Sequence, residues 1–189
     1  MAKVYEFLAN GFEEVEALAP VDILRRGGVE VKMVSITGSN LVESSHGVVV
    51  KADLLFEDIT DFSDADLLML PGGMPGSKNL NEHDGVRNAL KEQFEKGKRV
   101  AAICAAPLVL ASIGLLKGKK ATIYPGMESY LGEDAEYTGV LVQEDGNVTT
   151  GAGPAASFPY GYKLLSYFLP AEKVEEIQKG MIYDQLLNS

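Results

Sequence analysis

Cysteine is nearly absent from this chain: Cys104 is the only thiol among 189 residues, and there is no tryptophan. One cysteine closes no internal disulfide, so the core alone must hold the fold, and a reducing, cytoplasmic setting is expected. Histidine is scarce too. His46 and His83 are too few for a histidine-rich metal site, and nothing has paired-cysteine zinc spacing, so no metal is expected. Cations are outnumbered, with 17 Lys and Arg against 27 Asp and Glu and a formal charge of -10. Nucleic-acid binders carry a basic patch, and the densest cationic stretch here, Lys117-Gly-Lys-Lys120, reads as a solvated turn, so nucleic acid is not an expected partner. No apolar run approaches the ~18 residues needed to span a bilayer. The first residues lack the apolar stretch and cleavage site of a signal peptide, and no membrane partner is expected.

What is present is an ordinary hydrophobic fraction of 46%, enough for one core, and a length that fits a single domain over residues 1–189. Strand and helix patterns alternate. Strands are predicted at 3–8, 29–36, 66–70 and 100–103, with further candidates at 48–50, 121–124, 137–142 and 147–150. Helices are predicted at 13–26, 86–96, 107–113, 155–169 and 172–179, the first with Val15, Leu18, Ala19 and Asp22 on one face. The runs 67–70 and 100–103 are continuously apolar, as strands buried on both faces should be. The alternation predicts an α/β fold: a mostly parallel central sheet covered by helices on both sides. Ligands bind such sheets beyond the carboxyl ends of the strands, which gathers residues 8–12, 71–76 and 104–106 at one rim.

Cys104 is delivered to that rim by an apolar strand, with small residues after it and Pro107 placed to open a helix. A strand-to-helix turn holds a nucleophile at the exposed end of a sheet. The helix N-terminus behind it favours thiolate, the reactive form. The plain alternative is a buried structural cysteine. The Pro71-Gly-Gly-Met-Pro-Gly76 turn brings backbone N–H groups close to any ligand. With the N–H after the nucleophile, these would make an oxyanion hole. Glu13, Glu14 and Glu16 begin the first helix, where acidic residues ordinarily serve the helix dipole. Pro20 leaves the carbonyl of Glu16 without a helical partner, and a bend there would turn Glu16 toward the rim. Spacing alone leaves Glu16 open between rim and solvent.

Taken in order, Gly11-Phe-Glu-Glu-Val-Glu16 with Pro20-Val-Asp22, Leu70-Pro-Gly-Gly73, Ala102-Ile-Cys-Ala-Ala-Pro107 and Gly153-Pro154 cover nearly the whole chain. In this order and at these separations they are specific. The chain resembles the ThiJ/PfpI superfamily, in the branch of the Parkinson-disease protein DJ-one and its bacterial relatives. The resemblance implies a flavodoxin-like three-layer α/β sandwich and a homodimer. It implies that Cys104 is the reactive, readily oxidised cysteine and that Glu16 is a buried, protonated glutamate hydrogen-bonded to its sulfur. It places Gly72, Gly73 and Ala105 in the oxyanion pocket, and Tyr124 where the family's best-studied members carry a substrate-side histidine. The implied activity is cofactor-free chemistry on a small reactive aldehyde or glycated adduct, of glyoxalase or deglycase type. Redox sensing or chaperone-like stress protection is the alternative. Two departures matter. Tyrosine, with a pKa of ~10, is a poor general base near neutrality. Ala105 stands where the superfamily's protease branch has histidine, and a cysteine peptidase needs an imidazole on its thiol, so peptidase activity is not expected. His46 and His83 are read as surface residues outside the site.

Overall fold

The computed structural model describes residues 1–187. In chain order the strands are β1 (Lys3–Leu8), β2 (Glu30–Ser35), β3 (Leu41–Glu43), β4 (Val49–Lys51), β5 (Leu54–Leu55), β6 (Leu67–Leu70), β7 (Arg99–Ile103), β8 (Lys120–Ala121), β9 (Glu136–Tyr137), β10 (Val142–Asp145) and β11 (Val148–Gly151). The helices are α1 (Glu14–Arg26), α2 (Gly76–Glu82), α3 (Asp84–Glu95), α4 (Pro107–Ser112), α5 (Ser157–Leu165), α6 (Ala171–Gly180) and α7 (Tyr183–Leu187).

Seven strands form the central sheet in the order β10-β11-β7-β6-β1-β2-β5. Every pairing is parallel except β10 with β11. Parallel neighbours need crossovers, and the helices that supply them cover both faces. On one side α1 packs on α5; α2 packs on α3 and α4. β6 is buried throughout and β7 after its first residue, which is why both read as continuous apolar runs. This is the flavodoxin-like three-layer sandwich expected from the sequence. The chain leaves β1 for β2 on one side and returns to β6 on the other. That reversal opens a crevice at the carboxyl ends of β1 and β6, beside the end of β7.

Some expectations change. The buried face of α1 is Glu16, Ala17, Pro20, Val21, Ile23 and Leu24, whereas Val15 and Leu18 are exposed. The apolar residues of α1 outnumber one helical face, and the sheet took the stripe that includes Glu16. The candidate strand at 48–50 lies at 49–51 and pairs with β3 in a separate hairpin. The candidate strand at 121–124 ends at Ala121, because the next residues turn toward Cys104. The stretch 137–142 divides between β9 and β10 around Gly139, whose φ is +67°. The start of the 155–169 helix is a 3₁₀ turn, Pro154–Ala156.

One interior group stands out. Glu6, in the middle of β1, is 1% exposed, and its Oε2 has no hydrogen-bond partner among the described residues. Burial pushes its carboxyl well above the usual carboxylate range. A carboxyl raised in the folded state stabilises the fold relatively below its unfolded pKa, and that contribution is lost as pH rises toward the folded value. The loss runs at ~1.4 kcal/mol per pH unit within that window. Glu6→Gln is therefore expected to raise the melting temperature more at pH 8 than at pH 5. Thermal melts at the two pH values check this, and an equal shift at both would contradict it.

Candidate active site

The elbow at Cys104 is strained. Its φ is +62°, a left-handed conformation that non-glycine residues adopt uncommonly. Three backbone bonds hold it: Cys104 N–H donates to the Gly151 carbonyl at 2.8 Å, Ala106 N–H to Ile103 at 3.0 Å, and Tyr124 N–H to the Cys104 carbonyl at 2.9 Å. Such strain persists where neighbours over-determine it, and it clusters at functional sites. The turn lifts the sulfur off the end of β7 into the crevice and leaves Cys104 8% exposed.

Glu16 meets the sulfur from α1. It is 1% exposed, and its Oε2 accepts the Gly72 N–H at 2.9 Å. Its carboxyl lies beside Cys104, both approaching to 2.5 Å of the position a Cβ on Gly72 would take, and its Oε1 has no hydrogen-bond partner among the described residues. No bend at Pro20 is needed to bring it there, since Glu16 lies on the buried stripe of α1 one helical turn before Pro20. Burial raises the Glu16 carboxyl to about 7, against the opposing pull of Cys104 and the Gly72 N–H.

The backbone N–H groups of Gly73 and Ala105 act on the Cys104 thiol and ease its ionisation. With Gly72, they are the groups that the resemblance leads one to expect in an oxyanion pocket. Gly72, expected to share that role, has its N–H committed to Glu16; the same bond positions the carboxylate. The close packing demands glycine here. A Cβ on Gly72 would lie 2.5 Å from both Cys104 Cβ and Glu16 Oε2 and 2.8 Å from the Ile103 carbonyl oxygen. Gly72→Ala is expected to destabilise the fold by roughly 1–3 kcal/mol through overpacking and to part Glu16 from Cys104. A melt, with thiol alkylation followed by mass, measures both effects.

The pull toward thiolate expected of the helix N-terminus is opposed at Cys104. Desolvation, then the nearby Glu16 charge, pushes the thiol up to about 12, and the N–H groups of Gly73 and Ala105 offset this only in part. Glu16 and Cys104 cannot both carry charge in one small dry pocket. They titrate as a pair that loses its first proton near 7 and its second far above. Between those limits the pair holds one proton for two basic atoms.

Tyr124 is 46% exposed and follows the short β8 strand. Its backbone is bonded to Cys104, and its ring lies beside Gly153, where an added Cβ would come within 3.2 Å of it. His83 is more structural than a surface reading implies. Its Nδ1 accepts the Val86 N–H at 3.1 Å, capping α3, and its ring meets Phe56 edge-on. The signal was its place three residues before Val86 at a helix start. His46 is exposed in the β3–β4 turn, yet it rests on Glu13 and Glu14, a meeting across 32 residues that nothing in the sequence announces.

The comparisons agree with this architecture. The DJ-1/PfpI family model matches residues 2–167. The chain is 34% identical over 177 residues to Parkinson disease protein 7 homolog of Danio rerio, covering 93% of this chain and 94% of that protein. It is 36% identical over 155 residues to Deglycase PH1704 of Pyrococcus horikoshii, covering 81% and 91%. Among solved structures, oxidized DJ-1 of Toxoplasma gondii superposes with a TM-score of 0.91 at 33% identity, covering 96% of this chain and 98% of that one. The chain belongs to the DJ-1/PfpI family.

Proposed function

We propose that the chain converts a small reactive aldehyde, or removes such an aldehyde from a glycated adduct, with Cys104 as nucleophile and no cofactor. The observation that carries this reading is Cys104 on a left-handed elbow with the buried Glu16 carboxyl beside it, both packed against Gly72; burial raises that carboxyl to about 7. A group near its midpoint at neutral pH accepts and donates protons with equal readiness. Relatives from Pyrococcus are named deglycases, which fits the same chemistry.

Methylglyoxal serves as the worked case. The Cys104 sulfur adds to the aldehyde carbon, forming a C–S bond as the carbonyl π pair moves to oxygen. Gly73 and Ala105 N–H groups hold that oxygen, which takes a proton to give a hemithioacetal. Glu16 as carboxylate removes the hydrogen on the former aldehyde carbon while the ketone oxygen takes a proton, giving an enediol. The protonated Glu16 then returns its proton to the former ketone carbon as the hydroxyl on the sulfur-bearing carbon gives up its own, so the protons taken and released are equal. The ketone becomes an alcohol and the hemithioacetal carbon becomes a thioester carbonyl, so no external oxidant or reductant is consumed. Water cleaves the thioester, releasing lactate and the thiol. Tyr124 orients the substrate from the open side. His46 pairs with glutamates and His83 caps a helix, so neither supplies the imidazole a peptidase requires.

The test is lactate formation from methylglyoxal without glutathione or any other added thiol. Lactate well above the protein-free rate supports the reading; none above it defeats it. A sensor reading draws on the same thiol and on Tyr124 standing in place of a histidine. It expects mild peroxide to add two oxygens to the intact mass and stop there. We also propose that the chain pairs with a second copy, whose interface would cover the outer stripe of α1 at Val15 and Leu18, exposed by 44% and 38%.

A further inference from the structure

We propose that Glu13, Glu14 and His46 form a binding site for a divalent transition-metal ion, zinc above all, separate from the Cys104 site. The fold builds it from two elements. Glu13 and Glu14 are the N-cap and first residue of α1. The β3–β4 hairpin is fastened to that helix start by Gly11 N–H to the Glu43 carbonyl and Ser45 N–H to the Phe12 carbonyl, both 2.8 Å. Phe12 and Ser44 also form a bridge. The turn thereby sets His46 over both carboxylates.

The distances suit an ion. His46 Nδ1 lies 3.4 Å from Glu13 Oε2 and 3.2 Å from Glu14 Oε2. Ser45 Oγ lies 3.2 Å from the same nitrogen and 3.5 Å from Glu13 Oε2. Zinc bonds nitrogen and carboxylate oxygen at ~2.0–2.2 Å, which makes the edge of its tetrahedron ~3.3 Å. The three principal donor atoms all lie within 4.8 Å of one another, so a small rotation of the carboxylates closes the set. The fourth corner falls to the Ser45 hydroxyl or to water.

Donor type and charge agree. An imidazole beside two carboxylates suits zinc or a similar borderline ion, whereas magnesium and calcium favour all-oxygen shells. Two carboxylates neutralise a divalent ion. They are already held, with side chains 12% and 18% exposed, while the imidazole at 64% leaves an entry path. Ser44 Oγ accepts the N–H groups of His46 and Val48 at 3.3 and 3.0 Å, fixing the turn. A proton on His46 bridges the same carboxylates, so proton and metal compete for one seat.

Calorimetric titration of the full chain with zinc chloride tests this, with His46→Gln, Glu14→Gln and Cys104→Ser beside wild type. Expected is one ion per chain, with affinity at least ~100-fold weaker in His46→Gln and Glu14→Gln and unchanged in Cys104→Ser. Zinc binding that survives both triad variants, or that vanishes in Cys104→Ser, overturns the assignment. So does the absence of saturable binding, which would leave the triad as an ion pair tying the hairpin to α1.

Discussion

Cys104→Ser is expected to cut lactate formation from methylglyoxal by at least ~10³-fold while leaving the fold in place. The hydroxyl fits the same small pocket and the backbone bonds to Gly151 and Tyr124 are untouched, so the melting temperature should move little. What is lost is the nucleophile. A serine hydroxyl resists ionisation far more than a thiol, and no imidazole stands on residue 104 to help it. The paired readout is decisive. Lost activity with an intact melt assigns the chemistry to the sulfur, whereas lactate production that persists would place it elsewhere on the surface.

Glu16→Gln is expected to cost ~10²–10⁴-fold in turnover, the usual range for a positioned acid–base group. The amide is nearly isosteric and still accepts the Gly72 N–H through its oxygen. It therefore preserves shape and removes only proton transfer. The hemithioacetal can still form; its isomerisation cannot proceed. Incubation with methylglyoxal should thus leave a reversible adduct on Cys104, visible by intact mass, with little lactate released. Lactate at the wild-type rate would remove Glu16 from the mechanism.

The elbow at Cys104 was legible because three signals coincide within nine residues: an apolar strand, small residues after it, and Pro107 at a helix start. The left-handed φ was not, since it depends on Gly151 and Tyr124 closing around the turn from distant segments. Glu16 was undecided by spacing. Its apolar neighbours Val15 and Leu18 looked like core, and only packing against the sheet and α5 selects the other stripe of α1. Gly72 packs against Cys104, and its N–H goes to Glu16 rather than to an open pocket, because which way an N–H points depends on side-chain direction that spacing does not show. α2 went unread since Leu80 is its single large buried apolar residue, too few for a periodic signal. The thiol's resistance to ionisation was hidden for a related reason: helix position is visible in a sequence, burial of a neighbouring carboxyl is not.

The central claim is that Cys104 and Glu16 ionise as one unit. The most direct test is the rate of Cys104 alkylation by iodoacetamide from pH 5 to 10, in wild type and Glu16→Gln. The account predicts a first rise in wild-type rate with a midpoint at about 7, where the pair loses its first proton and the form with thiolate beside neutral Glu16 becomes accessible, and the loss of that step in Glu16→Gln. The remaining thiol, freed of the Glu16 charge but still buried, should then ionise in a single step above the ordinary range, because burial opposes the thiolate. A single midpoint near ~8.5, the value of a free cysteine, shared by both proteins would contradict it and leave Cys104 an ordinary thiol.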